Sequence, residues 1–177
     1  GWCFPWTLAA TAGVSVCLRH VQAAAIYGAL REHKVSHFCA APIVLNMLNN
    51  ADPALKQGLD HPVKARTAGA APPATVIAGM EAMGIAVTHV YGLTETYGPC
   101  VVCEPQRRWQ GQDATTLSRL KARQGVASPL QGEMRVINPV SGEPVPMDGK
   151  TLGEIVLRGN IVMKGYLKNS AASEEAM

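Results

Sequence analysis

Apolar and polar positions in the first half of the chain switch between two periods. Val14-Ser-Val-Cys-Leu18 is a short β-rich run, and 21–34 follows with Ile26 and Leu30 on one helical face and Arg31, Glu32 and Lys34 near its end. Residues 35–39 return to strand character, and Pro42 suits the first turn of a helix whose Ile43, Met47 and Leu48 share a face. A third strand is expected over 63–68. A helix over 73–83 follows, with Val76, Met80 and Met83 on one side and Gly84 as its stop. A fourth strand is expected over 85–91. Strands recurring every ~20–30 residues with helices between them predict βαβ units and a largely parallel sheet.

The second half changes character. Residues 96–113 read as irregular, and 114–124 as a short basic helix. From Pro129 onward Gly and Pro are dense, with Asn138-Pro139, Ser141-Gly142 and Asp148-Gly149 as turn signals. The β-like segments 133–137, 154–158 and 161–162 between them predict antiparallel hairpins of a small barrel. The expected division is an α/β subdomain over 1–128 and a β-rich one over 129–177. Ser170 reads as the N-cap of a last helix. The apolar Trp2-Cys3-Phe4-Pro5-Trp6 opening and the abrupt close suggest an internal piece of a longer protein.

Composition narrows the classes. With 47% hydrophobic and 16% charged residues, the 177-residue chain is not disordered and can bury about 70% of its extended surface. No apolar stretch reaches the ~20 residues of a membrane span. A net charge of +3 with 5% aromatics does not argue for a nucleic-acid surface. Five scattered cysteines make no disulfide framework, so a reducing compartment is expected: cytoplasmic, or an organellar matrix for a eukaryotic protein.

The chemistry-bearing segment is His89-Val-Tyr-Gly-Leu-Thr-Glu-Thr-Tyr-Gly-Pro99, which leaves the end of an expected parallel strand. Ligands of open α/β sheets bind at the carboxyl ends of strands. Gly92 can bend the backbone or admit a ligand closely. Thr94 offers a hydroxyl and Glu95 a carboxylate, a pair suited to Mg²⁺ with phosphate. From these residues alone, an ordinary strand-end turn with a solvated glutamate is the more economical reading.

Tyr91-Gly92-Leu93-Thr94-Glu95 resembles the Y-G-x-T-E signature of the acyl-adenylate-forming superfamily, which holds acyl-CoA synthetases, luciferases and the adenylation domains of peptide synthetases. Three further segments fall in the family's order. Gly69-Ala70-Ala71-Pro72 resembles the G-x-A-P turn that precedes the signature. Gly153-Glu154, Arg158-Gly159 and Val162-Met163-Lys164-Gly165-Tyr166-Leu167 resemble the G-E-I-x-x-R-G and V-M-x-G-Y-L run that follows it. His37 to Pro42 matches a strand-to-helix step of acyl-CoA synthetases.

The resemblance implies a fold of parallel βα layers followed by β hairpins, and it implies roles. Tyr91 would lay its ring on one face of adenine, with the backbone of Gly69, Ala70, Ala71 and Pro72 on the other and Gly92 beside it. His89 stands where many members place Asn toward the adenine amino group, and it can accept that hydrogen bond only in one tautomer. Thr94 would bind the α-phosphate and carboxylate oxygens, and Glu95 would hold Mg²⁺. Apart from the resemblance, Trp2, with Phe4 and Trp6, reads either as core packing or as the lining of an acyl pocket. The implied substrates are ATP, coenzyme A and a small carboxylic acid. The family's phosphate loop, ribose-binding Asp and catalytic Lys are absent from these 177 residues, so the isolated piece is expected to be inactive. The first reading is an acyl-CoA synthetase of the fatty-acid or short-to-medium-chain branch. An amino-acid-activating adenylation domain and a non-catalytic nucleotide-binding remnant stay open beside it.

Other signals carry less. Cys100-Val-Val-Cys103 has no second pair and no histidine partners, so structural thiols are expected. His20, His33, His37 and His61 show no ligand spacing. Arg107-Arg108 and Lys121-Ala-Arg123 read as a solvated basic face, with a weak contact to coenzyme A phosphates left open.

Overall fold

The computed structural model describes residues 4–129 and 131–177. These fall into two units, Gly1–Tyr91 with Val102–Val126, and Gly92–Val101 with Ala127–Met177. In the first unit, α1 (Phe4–Ala10) and α2 (Ala23–Glu32) lead into strand β1 (His37–Cys39). Helices α3 (Pro42–Asn49) and α4 (Pro53–Lys56), strand β2 (Val63–Thr67), helix α5 (Ala74–Ala82) and strand β3 (Ile85–Leu93) follow. β1 pairs with β2 and β2 with β3, both parallel, with Val63 beside Ile85 and Thr67 beside His89. The βαβ expectation therefore holds.

The local causes are those of the sequence. Pro42 opens α3 at its first turn, where its missing N–H costs nothing. β2 alternates buried Val63, Ala65 and Thr67 with exposed Lys64 and Arg66, so its apolar face turns inward. Ile26, Tyr27 and Leu30 of α2, Leu45 and Leu48 of α3, Ile77 and Met80 of α5 and Ile85 and Val87 of β3 form one buried cluster. Fully burying such side chains contributes about 1.5–3 kcal/mol each. Tyr27 is wholly buried, yet its hydroxyl donates to the Leu48 carbonyl at 3.1 Å. Burial pushes its pKa up.

Helix α6 (Ala114–Lys121) belongs to the same unit, capped by Asp113, whose Oδ1 accepts from the backbone N–H groups of Thr115 and Thr116. Lys121 does not lie on a solvated face as expected: its ammonium pairs with Glu81, and its side chain is 17% exposed. The pair ties α6 to α5.

The second unit holds β4 (Gly98–Val102, whose last residue belongs to the first unit), the end of β5 (Val126–Ala127), β6 (Glu133–Ile137), β7 (Glu154–Arg158) and α7 (Ser170–Ala176). β6 and β7 pair antiparallel, Glu133 with Arg158 and Ile137 with Glu154, as the hairpin reading expects. Gln131 caps this pair by donating to the carbonyls of Glu133 and Arg158, each at 2.8 Å. The N-cap of α7 is Asn169, one residue before the expected Ser170.

Three expectations fail locally. Residues 14–18 form no strand: Val14 and Leu18 are 86% and 43% exposed, and β propensity without a pairing partner does not make a strand. Residues 161–162 turn rather than extend. Conversely, 98–102 is a strand although it carries Pro99, which is tolerated near a strand's start. Among the described residues no helix is long and apolar enough to cross a membrane.

Candidate nucleotide and carboxylate sites

The first group of candidate residues sits past the carboxyl ends of β2 and β3. Parallel register runs to Thr67 beside His89, and two residues further along each chain come Gly69 and Tyr91. Gly69 has φ of 87°, a conformation only glycine adopts without strain, and this turns the chain out of the sheet. Ala70 and Ala71 are exposed, Pro72 is buried, and Tyr91 is half-buried. A small-residue backbone and a tyrosine ring thus end neighbouring strands, an arrangement able to take a flat base.

His89 is buried, with 2% of its surface exposed. Its Nδ1 lies 3.1 Å from the Ala122 carbonyl and 2.9 Å from that of Arg123. Carbonyls only accept, so Nδ1 carries a proton, and in the tautomer this fixes Nε2 is the acceptor. That is the tautomer an amino-group contact requires. On the same face, Thr67 is fully buried and its hydroxyl has no hydrogen-bond partner among the described residues.

The second group lies in the other unit. A Cβ at Gly92 would overlap the Gly98 carbonyl and come within 2.8 Å of Pro99 Cα. The glycine is therefore required by the protein's own backbone, whatever a ligand demands. Thr94–Thr96 forms one 3₁₀ turn that ends in Tyr97 at φ of 59° and Gly98 at φ of 107°. Thr96 shapes it. Its buried Oγ1 accepts from Leu93 N–H at 2.9 Å and lies 3.1 Å from the carbonyls of Leu93 and Gly98. The turn leaves Thr94 exposed and Glu95 partly so.

Glu95 is held from 71 residues away. The Tyr166 hydroxyl donates to Oε1 at 2.6 Å, and Met163 N–H donates to the Glu95 backbone carbonyl at 2.8 Å. The phenol's hydrogen bond holds the Glu95 carboxyl below the usual range, and the same bond pushes the Tyr166 phenol up. Among the described residues no three His, Cys, Asp or Glu side chains gather to hold a metal. A single ionised carboxylate still suits Mg²⁺, which keeps several waters and takes one or two protein carboxylates with substrate oxygens.

Trp2 lies outside the described residues. Cys100 and Cys103 are buried at 0% and 3% exposure, and Cys103 Sγ donates to the Leu120 carbonyl, as structural thiols would. Burial pushes the Cys103 thiol up. Sequence reasoning gave no role to Thr96 or Tyr166. Tyr166 was visible inside the Gly165-Tyr166-Leu167 match, but nothing local links it to Glu95.

Two solved structures share the fold: an anthranilate–CoA ligase in complex with anthranoyl-AMP (TM-score 0.75, 18% identity) and an amide bond synthetase from Marinactinospora thermotolerans (TM-score 0.76, 23% identity). They match 92% and 93% of this chain and 29% and 31% of their own. The family model for AMP-binding enzymes matches residues 1–167, and the chain belongs to that family. It is 51% identical over 178 residues to the peroxisomal acetate/butyrate–CoA ligase AAE7 of Arabidopsis thaliana, and 46% identical over 177 residues to the 2-methylpropanoate–CoA ligase CCL4 of Humulus lupulus. These alignments cover 99% and 100% of the chain but only 31% and 32% of the relatives, so it spans about a third of their length.

Proposed function

We propose that the chain is part of an ATP-dependent, AMP-forming ligase that joins a short carboxylic acid to coenzyme A. The observation that carries this reading is the Tyr91–Glu95 segment at the end of β3, in a chain 51% identical to an acetate/butyrate–CoA ligase. In the first half-reaction a carboxylate oxygen of the acid attacks the α-phosphorus of ATP, the bond to the departing pyrophosphate breaks, and an acyl-adenylate forms. In the second, the coenzyme A thiolate attacks the acyl carbon and AMP leaves with its oxygen. The substrate is the nucleophile, so the protein supplies position and charge stabilisation.

The residues take separable parts. Tyr91 and the Gly69–Pro72 backbone enclose adenine, and His89 Nε2 accepts from its amino group. Thr94 donates to oxygens of the α-phosphate, and Glu95 faces the cation. Mg²⁺, when bound with ATP, neutralises phosphate charge. Acids of two to four carbons are the first substrates to test, since the relatives named above are acetate, butyrate and 2-methylpropanoate ligases. A peroxisomal location is proposed on the same ground. The division into subdomains at 128/129 is likewise a proposal, for limited proteolysis to test.

The activity test is carboxylate-dependent ATP–pyrophosphate exchange by the full-length protein across a panel of acids, followed by thioester analysis. Exchange with short acids and a coenzyme A thioester are expected. Exchange with amino acids alone, and no thioester, would instead select an amino-acid-activating domain.

A further inference from the structure

We propose that Tyr166 is a positioning residue for the Glu95 carboxylate, fixing the oxygen geometry that a nucleotide-bound cation meets. The inference rests on the reading of Glu95 as the cation-facing carboxylate. Four contacts carry it. The phenol-to-carboxylate distance of 2.6 Å is that of a charge-assisted bond. Met163 N–H holds the Glu95 backbone carbonyl at 2.8 Å, so the same short segment grips main chain and side chain of one residue.

The segment is itself braced. Gly165 takes φ of +143°, and a Cβ there would come within 2.9 Å of Ser173 Oγ. Tyr166 N–H donates to Ser173 Oγ at 2.8 Å, and that hydroxyl donates to the Asn169 carbonyl at 2.7 Å. The phenol is therefore presented from a fixed backbone. An unbraced glutamate on an exposed turn would sample several rotamers, and a cation would have to select one. Held at Oε1, the carboxylate has one orientation before the cation arrives, which lowers the entropic cost of binding.

The chemistry does not require Tyr166 to touch ATP or the acid. Its influence passes through Glu95, so its removal should matter only while Glu95 is present. A second function as a structural clasp between the turn and the 163–167 segment predicts a different outcome, because a clasp loses stability whether or not residue 95 is charged.

The test is a double-mutant cycle in the full-length protein with Tyr166→Phe, Glu95→Gln and both together. Mn²⁺ serves as the paramagnetic probe, titrated with ATP and followed by electron paramagnetic resonance, alongside the Mg²⁺ dependence of exchange and thermal unfolding. Tyr166→Phe should weaken Mn²⁺–ATP binding about tenfold, the lower end for a lost partner of a metal-facing carboxylate, because the pair is solvent-accessible. It should add nothing in the Glu95→Gln background, and saturating Mg²⁺ should restore most of the exchange rate. An equal loss in both backgrounds, or a lower unfolding midpoint with unchanged Mn²⁺–ATP affinity, overturns the proposal. If no acid supports exchange by the wild type, the activity reading fails while the Mn²⁺ titration still decides the role of Tyr166. Wild-type protein that binds no Mn²⁺–ATP overturns both.

Discussion

The two groups of candidate residues are built by different means. The Gly69–Pro72 and Tyr91 group is set by sheet register: once β2 and β3 pair in parallel from Val63 beside Ile85, their ends arrive together. The Thr94–Glu95 group is set by a tight turn and by contacts with Met163 and Tyr166, about seventy residues later. The first rests on a large apolar cluster; the second rests on hydrogen bonds near the surface. On the proposed roles, base recognition would depend on packing in the buried cluster, and charge handling on the hydrogen bonds that fix the Glu95 carboxylate.

Stability should separate the groups most sharply. Leu48→Ala removes a fully buried side chain from the apolar cluster and should cost about 2–5 kcal/mol in denaturant unfolding of the full-length protein. A smaller loss would mean that the frame is softer than its burial indicates.

Gly92→Ala should act on the turn. The added methyl group must displace the Gly98 carbonyl, so a cost of about 1–3 kcal/mol is expected, together with loss of exchange activity. A fully active alanine variant would show that the turn is not held by this close approach. His89→Phe leaves the Ala122 and Arg123 carbonyls without their donor and should cost about 1–3 kcal/mol, with a raised KM for ATP. An unchanged KM would remove His89 from the adenine contact. The smallest effect is expected for Thr67→Val, which replaces a buried, unpartnered hydroxyl with a methyl group. Its stability should stay equal or rise by up to about 1 kcal/mol. A clear loss would reveal a partner for Thr67.

The same contrast explains what could be read from the sequence. The alternation of β2, the helical face of α3 opened by Pro42 and the period of strands and helices are local, and they were legible. Residues 14–18 look like a strand by composition but pair with no strand among the described residues, a fact that only tertiary structure decides. The strand at 98–102 was hidden by Pro99. Tyr91, Thr94 and Glu95 can be proposed from the sequence because their motif is contiguous. Tyr166 was not assigned, because its hydroxyl reaches Glu95 through a backbone path fixed by Gly165 and Ser173 rather than by any spacing. The tautomer of His89 needed the carbonyls at the end of α6.

Base recognition and charge handling are proposed as separate tasks of the two groups. Steady-state adenylation kinetics of Tyr91→Ala and Glu95→Gln in the full-length protein test it most directly. The account predicts a raised KM for ATP with little change in kcat for Tyr91→Ala. For Glu95→Gln it predicts a kcat about 10²-fold lower, since the lost charge acts on developing phosphate charge. Equal losses of kcat in both variants, or a Glu95→Gln enzyme with near-normal rate and unchanged Mg²⁺ dependence, would contradict it.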